Sequence, residues 1–196
     1  PAHVLIVGGG FAGVACARRL AGLPGVRVTL FERNGYHQFQ PLLYQVATAE
    51  LTPDDVRFDL AAMFAKHDNV EVRAAEVVAA DPAGPAVTLA GGEVVAGDVL
   101  VLAAGSQPNF FHTPGADQHT FPLYSLQDAE RVRSRVLQLF EDANAKPELV
   151  DEGALTFVVV GAGATGVETA GALAELVHDV MPHRHPHLAV AGAQVI

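Results

Sequence analysis

The chain has 196 residues, and 22 acidic against 12 basic side chains give it a formal net charge of −10 and an isoelectric point near 5.2. Twelve scattered cations exclude a partner held by its phosphate backbone, which needs clustered Lys and Arg, and they disfavour simple electrostatic attachment to anionic lipid. Half of the residues are apolar at a mean hydropathy of +0.27, enough for a buried core of one α/β domain plus part of another, yet no apolar stretch approaches the roughly 20 residues that span a bilayer.

The first apolar run, residues 4–7, reads as a strand entered directly, with no charged leader or cleavage site, so neither targeting nor insertion is expected. It runs into Gly8-Gly9-Gly10-Phe11-Ala12-Gly13, a glycine fingerprint. In such a fingerprint a strand turns sharply into a helix while its backbone approaches a pyrophosphate. Gly8 permits the turn, Gly10 lets a phosphate come close, and Gly13 lets the helix pack on the strand. Residues 14–21 favour helix, Gly22-Leu23-Pro24-Gly25 stops it, and residues 26–31 form a second strand ending at Glu32. Glu32 follows Gly13 by 19 residues, where a carboxylate can accept hydrogen bonds from adenosine ribose hydroxyls. Cys16, the single cysteine, excludes an internal disulfide, points to a reducing compartment and reads as a packing residue of the first helix.

Residues 36–50 mix aromatics, amides and Pro41, which predicts a functional loop rather than regular structure. A helix is expected over 53–66 with Thr52 as its cap, then a strand over 70–78, a turn at 81–85, and a small antiparallel hairpin from 86–89 and 93–95 around Gly91-Gly92. Residues 98–102 are a continuous apolar strand suited to a parallel sheet covered on both faces, ending in Ala103-Ala104-Gly105. Pro, Asn, His and Gly in 106–124 mark the exit from a first domain. A long helix follows over 126–145, with Arg131, Arg133 and Arg135 as a solvated face.

A second fingerprint, Gly161-Ala162-Gly163-Ala164-Thr165-Gly166, follows an apolar strand at 157–160 and opens a helix over 165–180, in which Glu168 sits where an acid offsets the helix dipole. One such motif marks a nucleotide site; two imply electron transfer between two dinucleotides. His178, His183, His185 and His187 lie in a Pro-interrupted segment and read as solvent-exposed rather than as metal ligands. A next strand is only beginning at 194–196, so the chain reads as a piece of a longer enzyme, with an unpaired sheet edge that favours self-association as a homodimer. The pattern predicts a doubly wound, Rossmann-like α/β domain with a small antiparallel hairpin, plus the start of a second Rossmann-like domain.

Residues 4–13, 39–47, 100–106 and 157–171 carry a family resemblance, the segment Phe39-Gln40-Pro41-Leu42-Leu43-Tyr44-Gln45-Val46-Ala47 being its most specific part. The chain resembles the N-terminal part of the type II NADH dehydrogenases, the FAD-dependent, non-proton-pumping NADH:quinone oxidoreductases of the two-dinucleotide flavoprotein superfamily. The resemblance implies an FAD-binding domain over 1–115 and an incomplete NAD(P)H-binding domain over 116–196. It implies that Gly10, Phe11 and Ala12 face the FAD pyrophosphate, Glu32 the ribose, Arg33 the adenine region and the backbone at Val77 or Val78 the adenine. Ala104-Gly105 would touch the dinucleotide portion of the flavin, and Gln40, Pro41, Leu42 and Tyr44 would lie beside the isoalloxazine. Gly161, Gly163, Thr165 and Gly166 would hold NADH, with Glu168 organising the hydride site. NADH and a quinone are then the substrates. The location is cytoplasmic, on the inner face of the cell membrane for a full-length protein, whose peripheral attachment lies outside this segment. Other readings of the same residues are a non-catalytic dinucleotide-binding module, or a flavin oxidoreductase with a different acceptor; one acting on disulfide or sulfide would need redox cysteines that a lone Cys16 does not supply.

Overall fold

Strong β-formers alternate with helix formers along the first hundred residues, and a computed structural model, which describes residues 1–188 and 190–196, bears out that alternation. The elements up to the first long helix are β1 (Ala2–Val7), α1 (Phe11–Leu20), β2 (Val26–Phe31), β3 (Tyr36–Gln38), α2 (Leu43–Ala47), β4 (Arg57–Asp59), α3 (Leu60–Phe64), β5 (Val70–Arg73), β6 (Val77–Asp81), β7 (Ala86–Leu89), β8 (Val94–Ala96), β9 (Val99–Leu102) and α4 (Ala116–His119). Then come α5 (Leu126–Ala145), α6 (Glu148–Asp151), β10 (Thr156–Phe157), α7 (Ala164–Glu175), α8 (Met181–Arg184) and β11 (Gln194–Val195). They form two compact units, Pro1–Gln38 with Arg57–Gln107, and Phe39–Val56 with Pro108–Ile196.

In the first unit β5, β2, β1 and β9 make a parallel sheet in that order. Alternate side chains leave its two faces. Val4, Ile6, Val28 and Leu30 pack against Val14 and Ala17 of α1 and Leu60 and Phe64 of α3, while Leu5 and Phe31 pack against Val87 and Leu89 of the antiparallel sheet β6-β7-β8. The sheet is thus covered on both faces at its centre. Its edge differs from the sequence expectation, because Val99 and Leu102 of β9 stay 46% and 60% exposed. Two further expectations are corrected. The strand over 70–78 is two strands, β5 in the parallel sheet and β6 in the antiparallel one, because period-2 alternation is the same in either. The helix over 53–66 is a 3-10 turn at Pro53–Asp55, then β4 paired antiparallel to β3, then α3. Thr52 does cap, in a reciprocal box with Asp55, but a second cap, Asp59 accepting from the Ala62 N–H at 2.6 Å, starts a new helix.

His3 is buried at the start of β1. Its Nδ1 lies 2.8 Å from Arg27 Nη2 and 3.1 Å from the Ala96 carbonyl, and its Nε2 lies 2.8 Å from Thr29 Oγ1. Burial first, and then Arg27, hold the imidazole below its ordinary value of 6.5, against the opposing pull of the Ala96 carbonyl, Asp98 and Glu71. A depressed histidine contributes its full stability above the unfolded value, and that contribution is lost as the unfolded chain takes up the proton first. Stability to urea is therefore expected to fall as pH drops below about 6.5, and His3→Gln to flatten that acid slope while lowering stability at neutral pH.

The second unit is organised by α5. Ser125 and Asp128 form a capping box at its start, and Arg131 pairs with Asp128. Burial pushes the Asp128 carboxyl up, but bonds from the Ser125 hydroxyl, Arg131 and the Ser125 and Tyr124 N–H groups outweigh it, leaving the group below the usual carboxylate value. Its contribution is present above the ordinary carboxylate range and lost as pH falls through the depressed value. Ser125→Ala is expected to cost about 1 kcal/mol. The unfolding midpoints of wild type and Asp128→Asn should differ at neutral pH and converge on acidification.

Phe140 of α5 is fully buried, with Phe157 of β10 and His185 stacked on it at ring separations of 6.1 and 6.4 Å. Val136, Leu173, Val177 and Met181 complete this core. His185 is thus a buried ring rather than the solvated residue its composition predicts, because Phe140 offers a flat apolar face; His178, His183 and His187 are exposed. Arg133 also departs from the solvated face, donating to the Leu51 carbonyl at 3.0 Å. The segment 36–50 is regular rather than a loop: β3, a 3-10 turn at Gln40–Leu42 and α2, whose Leu43, Val46 and Ala47 are buried as it packs against α5 and α7. The strand at 157–160 is shorter than expected, and the helix after it passes at Leu176–Val180 into a π-helical turn. Among the described residues no helix is long and apolar enough to cross a membrane.

Candidate dinucleotide sites at two glycine fingerprints

The chain leaves β1 toward β2 on one side, and β9 returns on the other side of β1. Such a reversal opens a crevice beyond the carboxyl ends of the strands, where open α/β sheets bind ligands. The first fingerprint sits there. Gly8 has φ 106, and a Cβ on it would overlap the Ala103 carbonyl just past β9, so the position takes only glycine. Gly8 N–H donates to the Phe31 carbonyl and Ala103 N–H to the Val7 carbonyl, each at 2.8 Å, tying the loop to both neighbouring strands. A Cβ on Gly13 would overlap the Gly8 carbonyl, which fixes how closely α1 packs on the turn. Gly10 differs: no described atom lies within 4 Å of where its Cβ would stand, and it precedes the first residue of α1, whose leading N–H groups have no intrahelical acceptor. This open cradle fits a pyrophosphate.

Glu32, at the end of β2, reaches the loop directly: Oε2 accepts the Gly9 N–H at 2.7 Å and Oε1 the Asn34 N–H at 3.2 Å. A carboxylate has about four lone-pair positions, so acceptor capacity remains for a sugar hydroxyl. His37, which the sequence reading passed over, is buried and donates from Nδ1 to the Gly9 carbonyl at 2.8 Å, with the half-exposed Phe11 ring edge-on to it at 5.0 Å. No motif spacing marks a histidine 28 residues from its partner; only the β3–β4 pairing places it. Ala12 and Arg33 are exposed. Val78 is the extra residue of a β-bulge between Val77 and Ala79, where one strand residue loses its ladder partner. Ala104 is exposed, and Gly105 turns with φ 74.

In the second unit the same local geometry recurs. Gly161 has φ 114, a Cβ on Gly166 would overlap the Gly161 carbonyl, and the space beside Gly163 is open before α7 begins at Ala164. Thr165 is exposed and its carbonyl accepts the Thr169 hydroxyl at 2.6 Å. Glu168 is the fifth residue of α7, beyond its first turn, so it does not cap the dipole as expected; its side chain is exposed. Gln40 and Pro41 are exposed and Leu42 and Tyr44 half-buried, with Gln40 Nε2 donating to the Tyr124 carbonyl at 3.5 Å.

The chain is similar to known proteins over nearly its whole length. The chain is 35% identical over 199 residues to the type II NADH:quinone oxidoreductase Ndh of Mycobacterium tuberculosis, covering 99% of this chain and 42% of that protein. It is 31% identical over 196 residues to the mitochondrial external alternative NAD(P)H-ubiquinone oxidoreductase B2 of Arabidopsis thaliana, covering 93% and 33%. The fold superposes on NDH2 of Plasmodium falciparum, solved in complex with NADH, with a TM-score of 0.86 at 20% identity, over 99% of this chain and 41% of that one. The chain therefore spans less than half the length of these relatives. The profile of the pyridine nucleotide-disulphide oxidoreductases matches residues 2–194, and the chain belongs to that family.

Proposed function

We propose that this chain supplies the two dinucleotide fingerprints of an FAD-dependent oxidoreductase that takes hydride from NADH and delivers the electrons to a quinone. The observation that carries the reading is the repetition, in one chain, of the same glycine architecture: a third glycine seated on the carbonyl of the first, and an open second glycine ahead of a helix. Its similarity to NADH:quinone oxidoreductases supports that assignment and the choice of acceptor.

FAD, when bound, supplies two-electron chemistry between nicotinamide and quinone. The protein's task is to bind and orient. In this reading the N–H groups from Gly10 through Gly13 face a pyrophosphate, and the free acceptor capacity of Glu32 takes ribose hydroxyls. Arg33 borders the adenine, the bulged backbone at Val78 meets its edge, and Ala104-Gly105 give close approach without side chains. Gln40, Pro41, Leu42 and Tyr44 offer a planar ring one amide and several apolar contacts. Gly161, Gly163, Thr165 and Gly166 take the NADH pyrophosphate, and the exposed Glu168 carboxylate lies on the helix that follows. Hydride transfer between nicotinamide and flavin needs no general acid or base.

The test is a titration of the purified chain with FAD, followed anaerobically by NADH and then a soluble quinone. Retained flavin, bleached by NADH and restored by quinone, supports the reading. Flavin that is retained but never bleached turns it toward a non-catalytic binding module, and absence of flavin binding rejects it for this chain.

A further inference from the structure

We propose that His37 is a positioning residue of the first fingerprint, holding the Gly9 carbonyl so that the next N–H is aimed into the open cradle. The inference rests on the FAD reading for its target, but its geometry belongs to this chain alone. A peptide unit is planar, so the Gly9 carbonyl and the Gly10 N–H point in opposite directions within one rigid group. Fixing one end fixes the other. A carbonyl only accepts, so His37 Nδ1 carries the proton in its 2.8 Å contact with Gly9 O. On the other side of the same residue, Glu32 Oε2 accepts the Gly9 N–H at 2.7 Å. Both peptide groups of Gly9 are therefore held by side chains.

Three consecutive glycines have the widest choice of backbone conformation of any tripeptide, so such a loop needs outside restraint to hold one arrangement. His37 is suited to provide it. Its backbone is fixed by pairing with Phe58 across β3 and β4, and its ring is set between Phe11 at 5.0 Å and Phe58 at 6.4 Å. The two aromatic contacts orient the imidazole, and the imidazole orients the loop. Gly10, next in the chain, is where the space is open.

Ring packing and hydrogen bonding can be separated by substitution. His37→Phe keeps an aromatic ring and loses the donor. His37→Asn loses the ring and keeps an N–H at the same distance from the backbone as Nδ1. His37→Gln carries its amide past that point and serves as a second displaced-donor variant should the phenylalanine variant fail to fold. Two readouts apply to the full chain: the amide resonances of Gly9 and Gly10 without cofactor, and the FAD dissociation constant. His37→Phe and His37→Gln are expected to shift the Gly10 resonance and weaken FAD binding about tenfold, the effect of a lost buried hydrogen bond. His37→Asn, which keeps the donor but not the aromatic contacts that orient it, should recover part of both. Equal FAD binding by His37→Phe and wild type, or an asparagine variant as weak as phenylalanine, overturns the inference alone. Wild type that binds no FAD removes the cofactor reading, and a Gly10 resonance unmoved by every variant removes the clamp.

Discussion

Gly13→Ala is expected to unfold or severely loosen the first unit, and with it to abolish flavin retention. The added methyl would overlap the Gly8 carbonyl, which is backbone and cannot rotate away. Relief requires α1 to move off the turn, but α1 is held by Val14 and Ala17 packed against Val4, Ile6, Val28 and Leu30. Gly8 is itself blocked on its far side by Ala103 and tied to Phe31. Overpacking a site with no slack costs about 3 kcal/mol or more, a large share of the stability of a domain. Urea denaturation measures it, and a midpoint unchanged from wild type would refute the packing argument. Gly10→Ala is the internal control. Its backbone, with φ −75 and ψ −169, suits alanine, and no described atom is in the way. Stability of the unliganded protein should hold or rise by up to about 1 kcal/mol, while FAD affinity falls at least about tenfold because the methyl occupies the cradle. One methyl group, three residues apart, thus separates a folding defect from a binding defect.

Phe140→Ala is expected to destabilise the second unit by about 3–5 kcal/mol. The ring is wholly buried and bridges Phe157, the last residue of β10, to His185, which caps the end of α8. Removing it leaves a cavity lined by Val136, Leu173 and Met181, side chains on helices that cannot all collapse inward. Because Phe157 leads within four residues to Gly161, the loss of its stacking partner should also weaken NADH binding in protein that remains folded. Val158→Ala and Val160→Ala, at side chains 66% and 85% exposed, should stay within about 0.5 kcal/mol of wild type. Thermal unfolding of the three variants gives the comparison, and equal midpoints would show that this core does not sustain the second fingerprint.

By itself the amino-acid sequence determined both fingerprints, β2 with Glu32 after its end, the 126–145 helix, and the family resemblance. Each depends on chemistry confined to a few neighbouring residues: glycines where a Cβ would strike backbone, and apolar runs of strand length. Tertiary structure decided what depends on partners distant along the chain. The alternation over 70–78 was legible, but its division between a parallel and an antiparallel sheet was not, since both sheets impose period 2. The 53–66 pattern carried a real cap at Thr52, yet pairing of Arg57–Asp59 with Tyr36–Gln38 overrode helix propensity there. The sequence pattern marks His185 as solvated, because composition cannot show that Phe140 presents it with a flat apolar face. His37 gave no signal at all: its role arises from a hydrogen bond 28 residues back along the chain, and only the folded sheet brings that imidazole to the glycine loop.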